Sequence, residues 1–170
     1  MNHPVSDNFK INDPRVIRAW AFYDWANSAF ALVITTAIFP AYYLAITNDV
    51  IEVFGLQMSN SALYAFTITV AYIILTLASP LLSGMADYSG RKKQFLLLFT
   101  LLGSFSCIGL FFFQGMEQIL LGIFLFLLGL IGFAGGLVFY NAFLPEIASP
   151  DQYDRVSAKG FSLGFLGSLI

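Results

Sequence analysis

Four stretches of this chain, over about residues 19–43, 61–86, 94–113 and 119–144, are apolar for the length of a membrane crossing. A helix rising about 1.5 Å per residue needs roughly 20 apolar residues to cross the ~30 Å hydrocarbon core of a bilayer. The chain is 58% hydrophobic with mean hydropathy +0.79, and only 11% of its residues are charged, against about 25% in a soluble domain. An all-α polytopic membrane protein is the fold class these runs require. A fifth helix is expected over about residues 150–170, ending in mid-span, so the chain reads as a piece of a longer protein.

The basic residues set an orientation. Lys10, Arg15 and Arg18 precede the first run, Arg91, Lys92 and Lys93 separate the second from the third, and Arg155 and Lys159 follow the fourth. The intervening loops, 44–60 and 114–118, hold only Asp49, Glu52 and Glu117 as charges. All eight basic residues thus fall on one side of an alternating path, and the positive-inside rule makes that side cytoplasmic. The N-terminal residues 1–18 are then a cytoplasmic tail and helix start. A missed or invented span would scramble this alternation.

Several function classes drop out. No basic cluster suits a nucleic-acid groove. The single histidine, His3, lies in the polar tail, so no histidine-based metal site or catalytic dyad can form and no metal or cofactor is expected. Serines without a membrane histidine argue against an enzyme. The lone Cys107 excludes an internal disulfide and reads as a small apolar side chain. The first apolar run is too long for a cleaved signal and is interrupted by Asp24.

Local punctuation supports the helices. Asp13 followed by Pro14 has the form of an N-cap with proline at the first helical position. Trp20, Tyr23 and Trp25 at one end and Tyr42 and Tyr43 at the other resemble interfacial belts. Trp20 and Tyr42 are 22 residues apart, about 33 Å of helix. Ser149, Pro150 and Gln152 have the spacing of a capping box opening the fifth helix. Gly132/Gly136 and Gly160/Gly164 are GxxxG pairs that let helices approach closely, without naming the partner.

Within this frame Asp24 stands out. A carboxylate at the centre of a membrane helix costs about 2.5–3.5 kcal/mol on insertion scales. Asp24, Asn27 and Ser28 are spaced i, i+3, i+4 and share one helix face. Intramembrane carboxylates usually face a bundle interior or a wet cavity. Three roles stay open for Asp24: a structural ion pair or gate near the interface, a contact to a substrate amine, or a carrier of a coupling proton. Asp87 is the second anomaly. It ends a helix in "SGMADYSGRKKQF", residues 83–95, where it meets the negative end of its own helix dipole and needs an outside partner, such as another helix's N-terminus or an arginine. Gly90 provides the tight reversal there.

That loop, which also holds Arg91, resembles the signature between helices 2 and 3 of the major facilitator superfamily, with Asp87, Gly90, Lys92 and Lys93 at matching positions. Ser83 stands where the signature has glycine, and Tyr88 where it has a basic residue. With "FYDWANSAF" (22–30) and "YNAFLPEIAS" (140–149) in the same order, the chain is similar to the vacuolar effluxer branch of autophagy-related permeases and their bacterial relatives. The resemblance implies a twelve-helix fold of two six-helix halves, with this chain as the N-terminal part carrying about five of them. Its partners would be the lipid bilayer, a small-molecule solute, protons as coupling ion and the C-terminal half of the same protein. Helices 1 and 4 would line the path, so Tyr140 and Asn141 would face the cavity of Asp24, Asn27 and Ser28. Pro145 and Glu146 would follow at the cytoplasmic end of helix 4, and the Asp87 loop would act in gating. The implied function is secondary transport of a small polar solute such as an amino acid by alternating access, in a bacterial plasma membrane or a fungal vacuolar membrane. The alternative is a non-transporting membrane protein: an assembly partner, a receptor or a truncated product.

Overall fold

The first span opens where its cap motif stands. In a computed structural model that describes residues 10–53 and 55–169, helix α1 runs Pro14–Phe30, with the Asp13 carboxylate accepting from the Arg15 amide at 2.8 Å. Most of the polar tail, including His3, lies outside the described residues. A π-helical segment, Ala31–Ala37, joins α1 to α2, Ile38–Ile46, giving one 33-residue membrane-length element. The widening has a local cause. Pro40 lacks an N–H and its ring crowds the carbonyl four residues earlier, so a regular α-helix cannot pass through it unaltered. Within the π turn the Thr36 hydroxyl donates to the Ala31 carbonyl at 2.9 Å, and Tyr64 from the next span donates to the Thr35 carbonyl at 3.0 Å. Carbonyls that the ladder releases in lipid are taken up by side chains.

The loop after the first span is a short antiparallel hairpin, β1 (Val50–Val53) against β2 (Leu56–Ser59), in the register Val50↔Ser59 and Val53↔Leu56. Ser59 then caps α3, Asn60–Ser89, accepting from the Ala62 amide at 3.2 Å. Gly90 closes α3 at φ 64°, the left-handed conformation that glycine adopts without strain, and α4, Lys92–Leu110, starts two residues later. Helix α5, Ile119–Ala142, is followed by the short α6, Leu144–Ile147, with Pro145 in its first turn. A 3₁₀ turn, Pro150–Gln152, leads into α7, Tyr153–Ser168. Four helical stretches, Pro14–Ile46, Asn60–Ser89, Lys92–Leu110 and Met116–Ile147, are long and apolar enough to cross a membrane. Helix α7, at 16 residues, is shorter than the crossings.

Small residues decide which helices meet. The backbones of α4 and α5 touch at Gly103 and Gly132, where a Cβ on Gly132 would strike the Gly103 amide nitrogen. The other glycine set, Gly160, Gly164 and Gly167, is buried on α7 against α1. Both GxxxG pairs therefore have named partners. Towards the far end of the bundle an aromatic cluster of Phe39, Tyr43, Phe113 and Phe126 packs with Leu130 as the largest core.

Two expectations are corrected. The Ser149–Gln152 capping box does not form. Asn12, in the left-handed region at φ 68°, donates its side-chain amide to the Ser149 hydroxyl at 2.9 Å and accepts from the Ser149 amide at 3.0 Å. Its own amide donates to the Ile147 carbonyl at 2.9 Å. The serine is thus held by the start of the first span rather than by its own helix. Nor do the aromatics form simple belts. Trp25 and Tyr42 are exposed, but Tyr43 is 2% exposed, and Trp20 and Tyr23 turn inward onto α5.

Candidate functional site

The inward turn of Trp20 builds one wall of a cavity. Its indole N–H donates to the Tyr140 carbonyl at 2.9 Å, and its ring stacks on the Tyr140 ring at 4.3 Å and 8°. Tyr23 stacks on the same ring from another position, with centroids 5.3 Å apart. The Tyr23 hydroxyl lies 3.1 Å from the Thr100 hydroxyl. Because Thr100 already donates to the Leu96 carbonyl at 2.8 Å, Tyr23 is the donor. Tyr140 is thereby fixed by two rings, and its residue is 4% exposed.

The cavity has a volume of about 260 Å³, and Asp24, Asn27 and Ser28 from α1 line it together with Tyr140 and Asn141 from α5. All five residues expected along the transport path therefore converge on one space. Trp20, Ala31, Phe133, Leu137 and Leu144 add apolar wall, and Ser157 and Phe161 of α7 complete it. The sequence reading did not single out these seven for the site. Trp20 and Ala31 could have been found by extending the Asp24 face one turn each way. The α7 contribution had no signal beyond its glycines.

Polar groups in the cavity are of complementary kinds. The Ser28 hydroxyl donates to the Asp24 carbonyl of its own helix at 2.8 Å, so towards the cavity it offers lone pairs. Asp24 adds a carboxylate, and among the described residues no basic side chain pairs with it. The Asn27 side-chain nitrogen and the Tyr140 hydroxyl are buried donors without a protein partner. Leaving such a donor unmatched costs about 1–3 kcal/mol. One space is thus lined by the acceptors of Asp24 and Ser28 and by two residues, Asn27 and Tyr140, whose donors have no protein partner.

A second cluster sits at the basic end of the bundle. Asp87 is in the last turn of α3, Lys92 is the first residue of α4 and Glu146 is on α6. The Lys92 ammonium lies 2.8 Å from the Asp87 carboxylate and 2.6 Å from that of Glu146. The outside partner Asp87 needs is therefore a lysine at a helix start, rather than an arginine. Glu146 does not line the cavity; it is the other arm of this bridge. Arg91 and Lys93 point to solvent and make no ion pair among the described residues. Pro145 places α6 so that Leu144 faces the cavity and Glu146, two residues on, faces Lys92.

Residues 12–164, which include both clusters, match the family described as "Vacuole effluxer Atg22 like". The chain belongs to that family. This Atg22-like chain is 39% identical, over 89% of its length, to "Uncharacterized MFS-type transporter YxiO" of Bacillus subtilis, of which the match covers 35%. It is 35% identical to "Autophagy-related protein 22-1" of Aspergillus clavatus, with 65% of the chain matched to 18% of that protein. An Aquifex aeolicus protein is 27% identical over 89% of the chain. The Atg22-like chain therefore spans about a third of its bacterial relatives and under a fifth of the fungal one. No solved structure matches it. The Atg22-like family places the chain among integral membrane proteins of the MFS type, of which these helices form an N-terminal part.

Proposed function

We propose that the full-length protein is a secondary transporter that moves a small zwitterionic solute, of the amino-acid kind, through the Asp24 cavity by alternating access. The observation that carries this reading is the pairing of a carboxylate with two unused donors in one cavity of about 260 Å³. An ammonium group would sit at Asp24 and Ser28. A carboxylate would take the Asn27 amide and the Tyr140 hydroxyl. Pockets for small ligands combine apolar walls with few, well-placed polar groups, as Phe133, Leu137 and Phe161 do around these four. The names of the relatives, an MFS-type transporter and autophagy-related proteins, support transport and leave the solute to the site's chemistry. In this reading the Asp87–Lys92–Glu146 bridge holds the basic end of the bundle in one state, protons are the coupling ion and the C-terminal half closes the path.

Uptake and efflux of labelled L-amino acids and of simple alkylamines in vesicles, with and without a proton gradient, tests it. Amino acids are expected to move and amines lacking a carboxylate to compete weakly. Movement of neither class would overturn the zwitterion reading.

The basic loops are proposed to be cytoplasmic, at the N-terminus, at 87–93 and at 146–155. Reporter fusions at Glu52 and Lys92 are expected to give opposite signals, and matching signals would refute the topology.

A further inference from the structure

Two glycines of α7, which the sequence marks only as packing positions, press on the polar groups of the cavity rather than on another backbone. A Cβ built on Gly164 would lie 2.7 Å from an Asp24 carboxylate oxygen and 2.8 Å from the Ser28 hydroxyl. A Cβ on Gly160, one turn earlier, would lie 2.8 Å from the Tyr140 hydroxyl and 2.8 Å from the Trp20 ring. The space left by the missing side chains is filled by the site itself. Gly167, one turn later on the same buried face, differs: its Cβ would strike the backbone carbonyl of Trp25.

We infer that Gly164, supported by Gly160, is a positioning residue of the solute site: the bare backbone of α7 sets where the Asp24 carboxylate and the Ser28 hydroxyl point. The inference rests on the cavity being the solute site, and it gives α7 a role that its packing alone does not. The buried, unpartnered Tyr140 hydroxyl beside Gly160 marks the same space as a ligand site. A contact with the free end of a short side chain is relieved by rotating that side chain, at small cost in stability. A contact with a backbone carbonyl is relieved only by moving a helix. Gly164→Ala should therefore fold well and misplace the carboxylate, whereas Gly167→Ala, which has to push α7 off α1, should lose stability first.

Both variants of the full-length protein, reconstituted in lipid vesicles, are compared by three measurements: thermal midpoint, labelling of Asp24 by dicyclohexylcarbodiimide, and concentration dependence of L-leucine uptake. Gly164→Ala is expected to keep its midpoint within about 2 °C of wild type. Its Asp24 labelling rate should change and its KM rise by about tenfold or more, the loss of one charge-assisted contact. Gly167→Ala should lower the midpoint by several degrees, the loss that Gly164→Ala avoids. An unfolded Gly164→Ala beside a folded Gly167→Ala would overturn the inference, as would a Gly164→Ala with wild-type labelling. Altered labelling with unaltered uptake would uphold the positioning and overturn the assignment of Asp24 to the solute.

Discussion

Asp24→Asn, made in the full-length protein, is expected to insert and fold as wild type does and to lose solute accumulation by about 100-fold, the upper part of the range for a hydrogen bond to a charged group. The two halves of this expectation have separate origins. Stability survives because no basic side chain pairs with Asp24 among the described residues, so neutralising it strands no cation. Had it been half of a buried ion pair, losing one partner would cost about 3–5 kcal/mol and expression would fall first. Accumulation fails because the carboxylate is the cavity's one formal charge. Exchange of solute across the membrane separates the two active roles. If Asp24 holds the ammonium, exchange is lost with accumulation, because no bound state forms. If it carries the proton, exchange persists while gradient-driven accumulation does not. Asp24→Glu shifts the charge by one methylene against Gly164 and should retain partial activity. Normal accumulation and exchange in Asp24→Asn would remove Asp24 from the mechanism altogether.

Lys92→Gln should have the next largest effect, through a different quantity. One ammonium, 20% exposed, is shared by carboxylates that are 62% and 49% exposed. Exposed pairs are worth about 0.2–1 kcal/mol each, so losing both amounts to about 0.4–2 kcal/mol, a factor of roughly 2–30 in any equilibrium they bias. Asp87→Asn and Glu146→Gln should each cost less than Lys92→Gln. The double variant Asp87→Asn/Glu146→Gln should approach it, since both acids act through one lysine. Cysteine accessibility from the two sides of the membrane reads the conformational part and thermal unfolding the remainder. Single variants as severe as Lys92→Gln would show that the three residues do not act as one bridge.

What the sequence made legible follows the physics that is local to it. Spans could be counted because hydropathy, cap residues and the placement of Arg and Lys each act within a few residues, as at Asp13–Pro14 and Gly90. The face shared by Asp24, Asn27 and Ser28 followed from helical spacing alone. Partners across the bundle were less accessible. Nothing near Ser149 announces that Asn12 takes its hydroxyl, and the Lys92 bridge to Glu146 joins residues 54 apart. Trp20 was misjudged for a related reason: an aromatic at a membrane boundary suits the interface and a neighbouring helix equally well, and only the carbonyl of Tyr140 decides between them. The π turn was invisible because Pro40 and the two threonines have to be weighed together with Tyr64 from another span.

The Asn12–Ser149 clasp carries a consequence for biosynthesis. Its two residues leave the ribosome 137 positions apart, an interval of about 7–27 s at 5–20 residues per second. For most of that interval the first span has no α5 to stack Trp20 on, and α7, which starts at Tyr153, follows only after it. Its polar face therefore waits, without its walls, until the chain as far as α7 has emerged and closed the ring behind it. The order of synthesis leaves the Asp24 cavity without its α7 wall until α1 to α6 have all emerged.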